Sequence, residues 1–356
     1  MSTPQRVALT GFYGHGNFGD DLMAVLFGLH LKQNAVPFSV FRLCEPYARR
    51  FGLDVSPSID ELIEGVHMLI WGGGGLLVSW SNWIYNLLYP TVTATQTRLI
   101  DSAIRRKLRL VALSVGGDGR RVQPLSPSYK ERFINAAESI TVRNPQDCNN
   151  LGARGITACF FPDIVWQTSS VFPRARRRED RMRIGLDLYP SNLWRKGALY
   201  LVPALQTLML KRRDCEFVLI DSTNRSRKPY RGLGRVVRAS NTVAYQFGEL
   251  EQDLDLLASL DLLISTRYHC PMVALQYGVP VISLLGEGKT TLFWKNLGLD
   301  HICFGHSRMV ELLSLLGSKE KLNSFLREFP LPNACELATG AAGHLQVLEK
   351  ILLSPA

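Results

Sequence analysis

Short apolar runs alternate along the chain with longer stretches in which apolar positions recur every three or four residues, so strands and helices are predicted in turn. In the first half the runs are Arg6–Thr10, Pro37–Leu43, HMLIWGGGGLL (67–77), RLVALSVGG (109–117), SITVR (139–143) and ACFFPDIVW (158–166). Helices are predicted after the loop GFYGHGNFGDDL through about residue 31, at 60–65, at 83–107 with a break at Pro90, at 127–137, and at 145–155 with a glycine stop. Residues 167–181 (QTSSVFPRARRREDR) turn polar and basic, and a second series then begins. Its strands are MRIGLDL (182–188), CEFVLID (215–221), NTVAYQF (241–247), Leu262–Ser265 and Val279–Leu284, with helices at 192–210, 251–259 and 290–298. From 309 to 353 the pattern is helical in pieces, interrupted at FPLPN. Alternation of this kind predicts parallel sheets covered by helices on both faces, which bind ligands beyond the carboxyl ends of their strands. The predicted organisation is α/β: two Rossmann-like doubly wound domains facing a cleft, spanning residues 1–168 and 182–356, joined by a basic linker at 169–181. The helical tail is assigned to the second domain.

One stretch concentrates the candidate chemistry: DLLISTRYHCPMVALQYGVPVISL, residues 261–284. Proline is tolerated in a helix only in its first turn, so Pro271 predicts a helix opening near His269. Gly278 closes it and Pro280 prevents continuation. Arg267 and His269 then stand beside a helix N-terminus at the carboxyl end of a strand, where unpaired N–H groups and the helix dipole favour anions. A guanidinium adds a fork suited to phosphate or carboxylate. The same surroundings favour a neutral imidazole, so a proton-donor role for His269 requires a bound anion.

Composition narrows the field. At 356 residues two domains are the default, and a chain 46% hydrophobic and 20% charged reads as globular. No run of 18 apolar residues is present, and MSTPQRVALTG enters a strand without a signal-peptide pattern. Seven scattered cysteines without a C-x-x-C indicate neither a disulfide framework nor a zinc site. The expected location is the cytoplasm. A net charge of +10 points to anionic partners. The arginines cluster at 174–183 and, with Lys228, at 225–235. Such runs are either solvated loops or a patch for anionic lipid headgroups at the inner membrane face or for a lipid-linked substrate. Without a recognition module or aromatic interleaving, nucleic acid is not an expected partner.

GFYGHGNFGDDL holds G-x-G-x-x-G at Gly14, Gly16 and Gly19, but the glycines come late after the strand, and Asp20 and Asp21 would repel a pyrophosphate. Carboxylates on a glycine loop, with Asn17, better suit sugar hydroxyls. The runs Gly72–Gly75 and Gly116–Gly117 suggest either close backbone approach or plain turns, and Trp80 and Trp83 either sugar stacking or core. Arg143 and Asp163 each end a predicted strand and either project toward the same cleft or serve as a surface ion-pair residue and a helix-cap or turn residue, respectively. Lys289 opens another helix and offers a second anion contact. No Walker motif, H-E-x-x-H or G-x-S-x-G occurs.

Taken together, GFYGHGNFGDD, SITVRNPQDCNNLGARG, FFPDIVW, STRYHCPMVALQYGVPVISL and GEGKTTLFWKNLGL resemble the polysaccharide pyruvyl transferase family, over residues 7 to 300. The resemblance implies a GT-B-like pair of Rossmann-like halves and transfer of a pyruvyl group from phosphoenolpyruvate onto a sugar of a surface polysaccharide or its precursor, as a cyclic ketal. It implies donor binding by Arg267 and Arg143, assisted by Lys289, and proton donation by His269. Asp20, Asp21 or Asp163 would orient or deprotonate the sugar hydroxyls. Phosphoenolpyruvate is then a co-substrate, and no cofactor or metal is expected. Tyr268 stands where the family frequently has an aliphatic residue, and Asp21 where it more often has Glu. Two other readings fit the fold: a sugar-nucleotide glycosyltransferase, for which Glu287 is the tempting ribose contact, and a non-catalytic carbohydrate-binding protein.

Overall fold

The structure is a computed structural model. It describes residues 6–78, 90–119, 129–176, 180–223, 233–237, 239–286 and 288–354. Trp80, Trp83, Arg177, Arg178, Arg225, Arg227, Lys228, Arg231 and Glu287 lie outside the described residues, as does the side chain of Arg235. The chain divides into two units, one of residues 1–15, 20–167 and 336–356, the other of residues 16–19 and 168–335.

The first unit is built on strands β1 (Arg6–Thr10), β2 (Phe38–Phe41), β3 (Val55–Ser56), β4 (Val66–Gly72), β5 (Arg109–Val115), β6 (Ser139–Val142) and β7 (Cys159–Phe160). Among the described residues they form one parallel sheet in the order β3-β2-β1-β4-β5-β6-β7. Central strands are apolar without alternation, as a sheet covered on both faces demands: Val7–Leu9, Leu69–Trp71 and Val111–Leu113 are all buried. The second unit repeats the plan with β8 (Met182–Asp187), β9 (Cys215–Asp221), β10 (Thr242–Gln246), β11 (Leu262–Ser265), β12 (Val281–Leu284) and β13 (Cys303–Phe304). Their order is β10-β9-β8-β11-β12-β13, again parallel throughout. Strand order reverses between β1 and β4 in one sheet and between β8 and β11 in the other, and ligand crevices open at such points.

Several predicted elements differ in detail. Residues 192–210 are two helices, Pro190–Arg195 and Leu201–Lys211, because Gly197 takes a left-handed backbone (φ 64°) between them. Pro90 opens the helix Pro90–Arg105, where its missing N–H is harmless. The run 158–166 is extended only at β7; after Pro162 it tightens into a 3-10 turn, Ile164–Gln167.

Two organisational expectations are corrected. The tail does not belong wholly to the second unit, since residues 336–356 fold onto the first. In the helix Gly343–Leu353, His344 is fully buried, with Nδ1 2.6 Å from Thr141 Oγ1 on β6 and Nε2 2.9 Å from the Pro162 carbonyl. Residues 169–181 are likewise not a free linker. Only residues 169–171 are helical, in Thr168–Val171, and the described part of the segment is fastened within the second unit, where Tyr277 Oη donates to the Phe172 carbonyl (2.9 Å). Arg174 pairs with Asp255 (2.6 Å) and Arg176 with Asp261 (3.6 Å), while Arg181 donates to the Cys215 carbonyl (3.0 Å). These arginines are held by protein carboxylates and carbonyls of the same unit. Among the described residues, no helix is long and apolar enough to cross a membrane.

Candidate active site

In the second unit the site starts where β11 ends. Ser265 Oγ accepts the Arg267 N–H (2.9 Å) and donates to Asp187 Oδ2 at the end of β8 (2.8 Å), which pins the turn across the crevice. The helix His269–Gln276 follows as Pro271 predicted, and Gly278 (φ 74°) ends it. Arg267 stands over the Tyr189 ring, its guanidinium carbon 5.3 Å from the centroid, and Nη2 lies 3.5 Å from Asn17 Oδ1, at the outer limit of hydrogen bonding. His269 is 4% exposed, with its ring edge-on to Tyr268 at 4.7 Å. Gly19 lies directly against this imidazole, and a Cβ there would overlap Nδ1, so only glycine lets the backbone approach. Lys289 opens the helix Lys289–Asn296, with Nζ 5.5 Å from the Tyr268 centroid. The structure thus gathers Arg267, His269, Lys289 and Asn17 around one helix N-terminus. A guanidinium and an ammonium beside a helix N-terminus suit a small ligand with more than one anionic group.

Asp187, Tyr189 and Ser222 carry no motif that marks them in the sequence. Asp187 is fully buried; burial pushes its carboxyl up, against the Arg267 charge and hydrogen bonds from Ser265, Ser222 and Cys270, which hold it down. Burial and the nearby Asp187 charge likewise raise the Tyr189 hydroxyl well above its ordinary range. The available signal was position: Asp187 ends the first strand of the second series, and in a doubly wound sheet that strand borders the switch point.

In the first unit, Arg143 and Asp163 form an ion pair (2.7 Å) with both side chains 1% exposed. Asp163 Oδ1 also accepts the Val165 N–H (3.0 Å). Arg143 directly follows β6, whereas Asp163 lies three residues beyond the end of β7, turned onto Arg143 and its own turn. Beside them, Asp147 Oδ2 accepts from Gly117 N (2.7 Å) and Asn144 Nδ2 (3.0 Å), and burial is the largest influence raising its carboxyl. The Gly116–Gly117 pair serves close approach: a Cβ on Gly116 would strike Arg143 Nε, and one on Gly117 would lie 2.6 Å from Asp147 Oδ1. Ser114, at left-handed φ 54° on the β5–β6 register shift, bends the strand into this loop, receiving the Ile164 N–H on Oγ and donating its own N–H to Thr141 Oγ1 (each 3.0 Å).

Asp20 and Asp21 lie in the first turn of the helix Phe18–Gln33. Asp21 is fully buried, and its Oδ1 accepts the Gly14 N–H (2.6 Å) while no partner reaches Oδ2. Burial, partly offset by that hydrogen bond and reinforced by Asp20, lifts its carboxyl to about 8. Tyr13, whose hydroxyl donates to the Gly72 carbonyl, is also raised, by burial and then by the two aspartates. Among the described residues no group of three or more His, Cys, Asp or Glu could hold a metal ion.

A profile of the polysaccharide pyruvyl transferase family matches residues 17–286. No curated protein gives a significant match. Among solved structures, the chain is similar to S. aureus MnaA with UDP (TM-score 0.67, 9% identity, 99% of each chain covered). It is also similar to UDP-GlcNAc 2-epimerase from Neisseria meningitidis bound to UDP-GlcNAc (0.61, 13%, covering 97% of this chain and 100% of that one). The spinosyn rhamnosyltransferase SpnG complexed with thymidine diphosphate matches at 0.52 and 12%, with 97% and 100% covered. At such identities the likeness is one of GT-B fold, not of chemistry.

Proposed function

Because the chain belongs to the polysaccharide pyruvyl transferase family, we propose that it moves the pyruvyl group of phosphoenolpyruvate onto two hydroxyls of a sugar in a surface polysaccharide or its lipid-linked precursor. The observation that supports this reading most is the grouping of Arg267, His269 and Lys289 at one helix N-terminus, with Gly19 against the imidazole. Phosphoenolpyruvate carries a phosphate and a carboxylate, and this grouping offers two fixed cations and a proton donor. His269 protonates the methylene carbon, and C2 becomes electron-poor. One sugar hydroxyl adds to C2 and the other displaces phosphate, so the donor and a diol give a carboxyl-bearing ketal and inorganic phosphate.

The family resemblance gives Arg143 a part in donor binding as well, and in its own unit the guanidinium is buried against Asp163. Asp163, with its oxygens engaged by Arg143 and the Val165 N–H, holds that arginine in place instead of acting as base. With its carboxyl lifted to about 8, Asp21 is largely protonated at neutral pH, and of the three aspartates Asp20 is left to receive hydroxyls. The test is incubation with phosphoenolpyruvate or UDP-sugars and a β-galactoside or lipid-linked acceptor. Phosphate release with a ketal product by mass spectrometry supports the reading, UDP release replaces it with glycosyl transfer, and binding without turnover makes the protein a carbohydrate binder.

A further inference from the structure

The polar network beneath Arg267 takes no part in the chemistry proposed above, yet it is closed to solvent and, with Asp187 ionised, its hydrogen bonds run in one consistent direction. Asp187 Oδ1 accepts from Ser222 Oγ and Oδ2 from Ser265 Oγ, each at 2.8 Å, and the Cys270 thiol adds a third hydrogen bond. A serine hydroxyl has one proton to give. Ser265 spends it on Asp187, so its lone pairs are left to receive the Arg267 N–H at 2.9 Å. Ser222 does the same, so in its 3.0 Å contact with Tyr189 the phenol must be the donor. That bond fixes the rotation of the ring that lies under the Arg267 guanidinium. A single carboxylate thereby sets both the backbone of Arg267 and the face on which its side chain rests.

We propose that Asp187, acting through Ser265 and through Ser222 and Tyr189, is a positioning residue that pre-orients Arg267 for the anionic donor. Neither Asp187 nor Tyr189 touches substrate in this scheme. Their contribution is to keep the guanidinium fork from sampling other rotamers before the ligand arrives, and preorganisation of this kind appears in ligand affinity before it appears in turnover. The proposal rests on the donor reading for its kinetic consequence but not for its structural one.

The experiment therefore has two arms. In ligand-free protein, NMR hydrogen exchange is followed at the Arg267 amide and side chain. Asp187→Asn, nearly the same shape, is expected to speed exchange at the Arg267 amide by about 10-fold, the scale of one hydrogen bond, while Ile184 and Ile264 within the strands are unchanged. Tyr189→Phe, lacking a single oxygen, is expected to loosen the Arg267 side chain alone. In the kinetic arm, Asp187→Asn raises KM for phosphoenolpyruvate about 10-fold and Tyr189→Phe about 3-fold, with kcat nearly constant. Because the two residues act in one relay, the double variant is no worse than Asp187→Asn. Unchanged Arg267 exchange in both variants overturns the proposal, as does a double variant whose KM effects multiply. If the wild type does not turn over phosphoenolpyruvate while Arg267 still loosens as described, the donor assignment falls and the positioning role stands.

Discussion

His269 is the residue on which the proposed chemistry turns, and its surroundings define how it should fail. Removing a general acid typically lowers rate by roughly 10²- to 10⁴-fold, so His269→Ala is expected to reduce kcat on that scale with donor affinity little changed, as read by phosphate release and by calorimetry with phosphoenolpyruvate. Arg267→Ala should do the reverse and weaken donor binding first. Gly19→Ala is a stricter check on geometry, because it adds one methyl where Nδ1 now sits. The ring must move, and turnover should fall toward the His269→Ala level although the imidazole itself is intact; normal turnover by Gly19→Ala would show that the imidazole's place against this loop is irrelevant. Arg267 and His269 were legible in the sequence because Pro271 and Gly278 bracket an eight-residue helix on their own. Asp187 was not, because its role depends on which strands lie beside β8, and that order is not written locally. Asp163 was legible as a residue past a strand but not as the partner of Arg143, since pairing across 20 residues of chain is settled by tertiary packing.

At the scale of elements, periodicity located most strands and helices but could not say which sheet a helix covers. The helix Gly343–Leu353 follows the second unit in sequence and belongs to the first, where His344 is inserted between Thr141 and the Pro162 carbonyl. An amphipathic pattern announces a face to be buried and is silent about its partner. The buried histidine makes that docking measurable. Burial lowers the His344 pKa from 6.5 to about 4, outweighing the Asp163 charge and the Pro162 contact, which act upward. Between these values the unfolded chain takes a proton that the folded chain refuses, so protons favour unfolding there. Stability should therefore rise from pH 4 to 6.5 by about 3 kcal/mol on this account and level off above. Urea titrations of wild type and His344→Gln across pH 4 to 7.5 check it: the difference between the two curves should vary only below pH 6.5, and a constant difference would remove the histidine from the acid response.

For the molecule as a whole, two sheets with matching strand order carry different side chains at their switch points. Fold neighbours at 9–13% identity were solved with UDP, UDP-GlcNAc or thymidine diphosphate, and a shared fold alone does not select a reaction. The first unit carries an opposed pair of pH responses. Asp21 ionises near 3.8 in the unfolded chain and at about 8 in the folded one, so its stabilising effect is fully present at low pH and is lost as pH rises between those values. His344 acts oppositely, but only up to pH 6.5. Below 6.5 the two offset one another; from 6.5 to 8 Asp21 acts alone, and its contribution over that interval is about 2 kcal/mol of lost stability. Asp21→Asn, which keeps an acceptor for the Gly14 N–H, should abolish this decline and leave a variant whose stability relative to wild type grows between pH 6.5 and 8. Chemical denaturation at closely spaced pH values measures that difference directly. A variant that tracked the wild type throughout the interval would mean that Asp21 is already ionised at neutral pH, and would return it to contention as the base that takes the acceptor's proton.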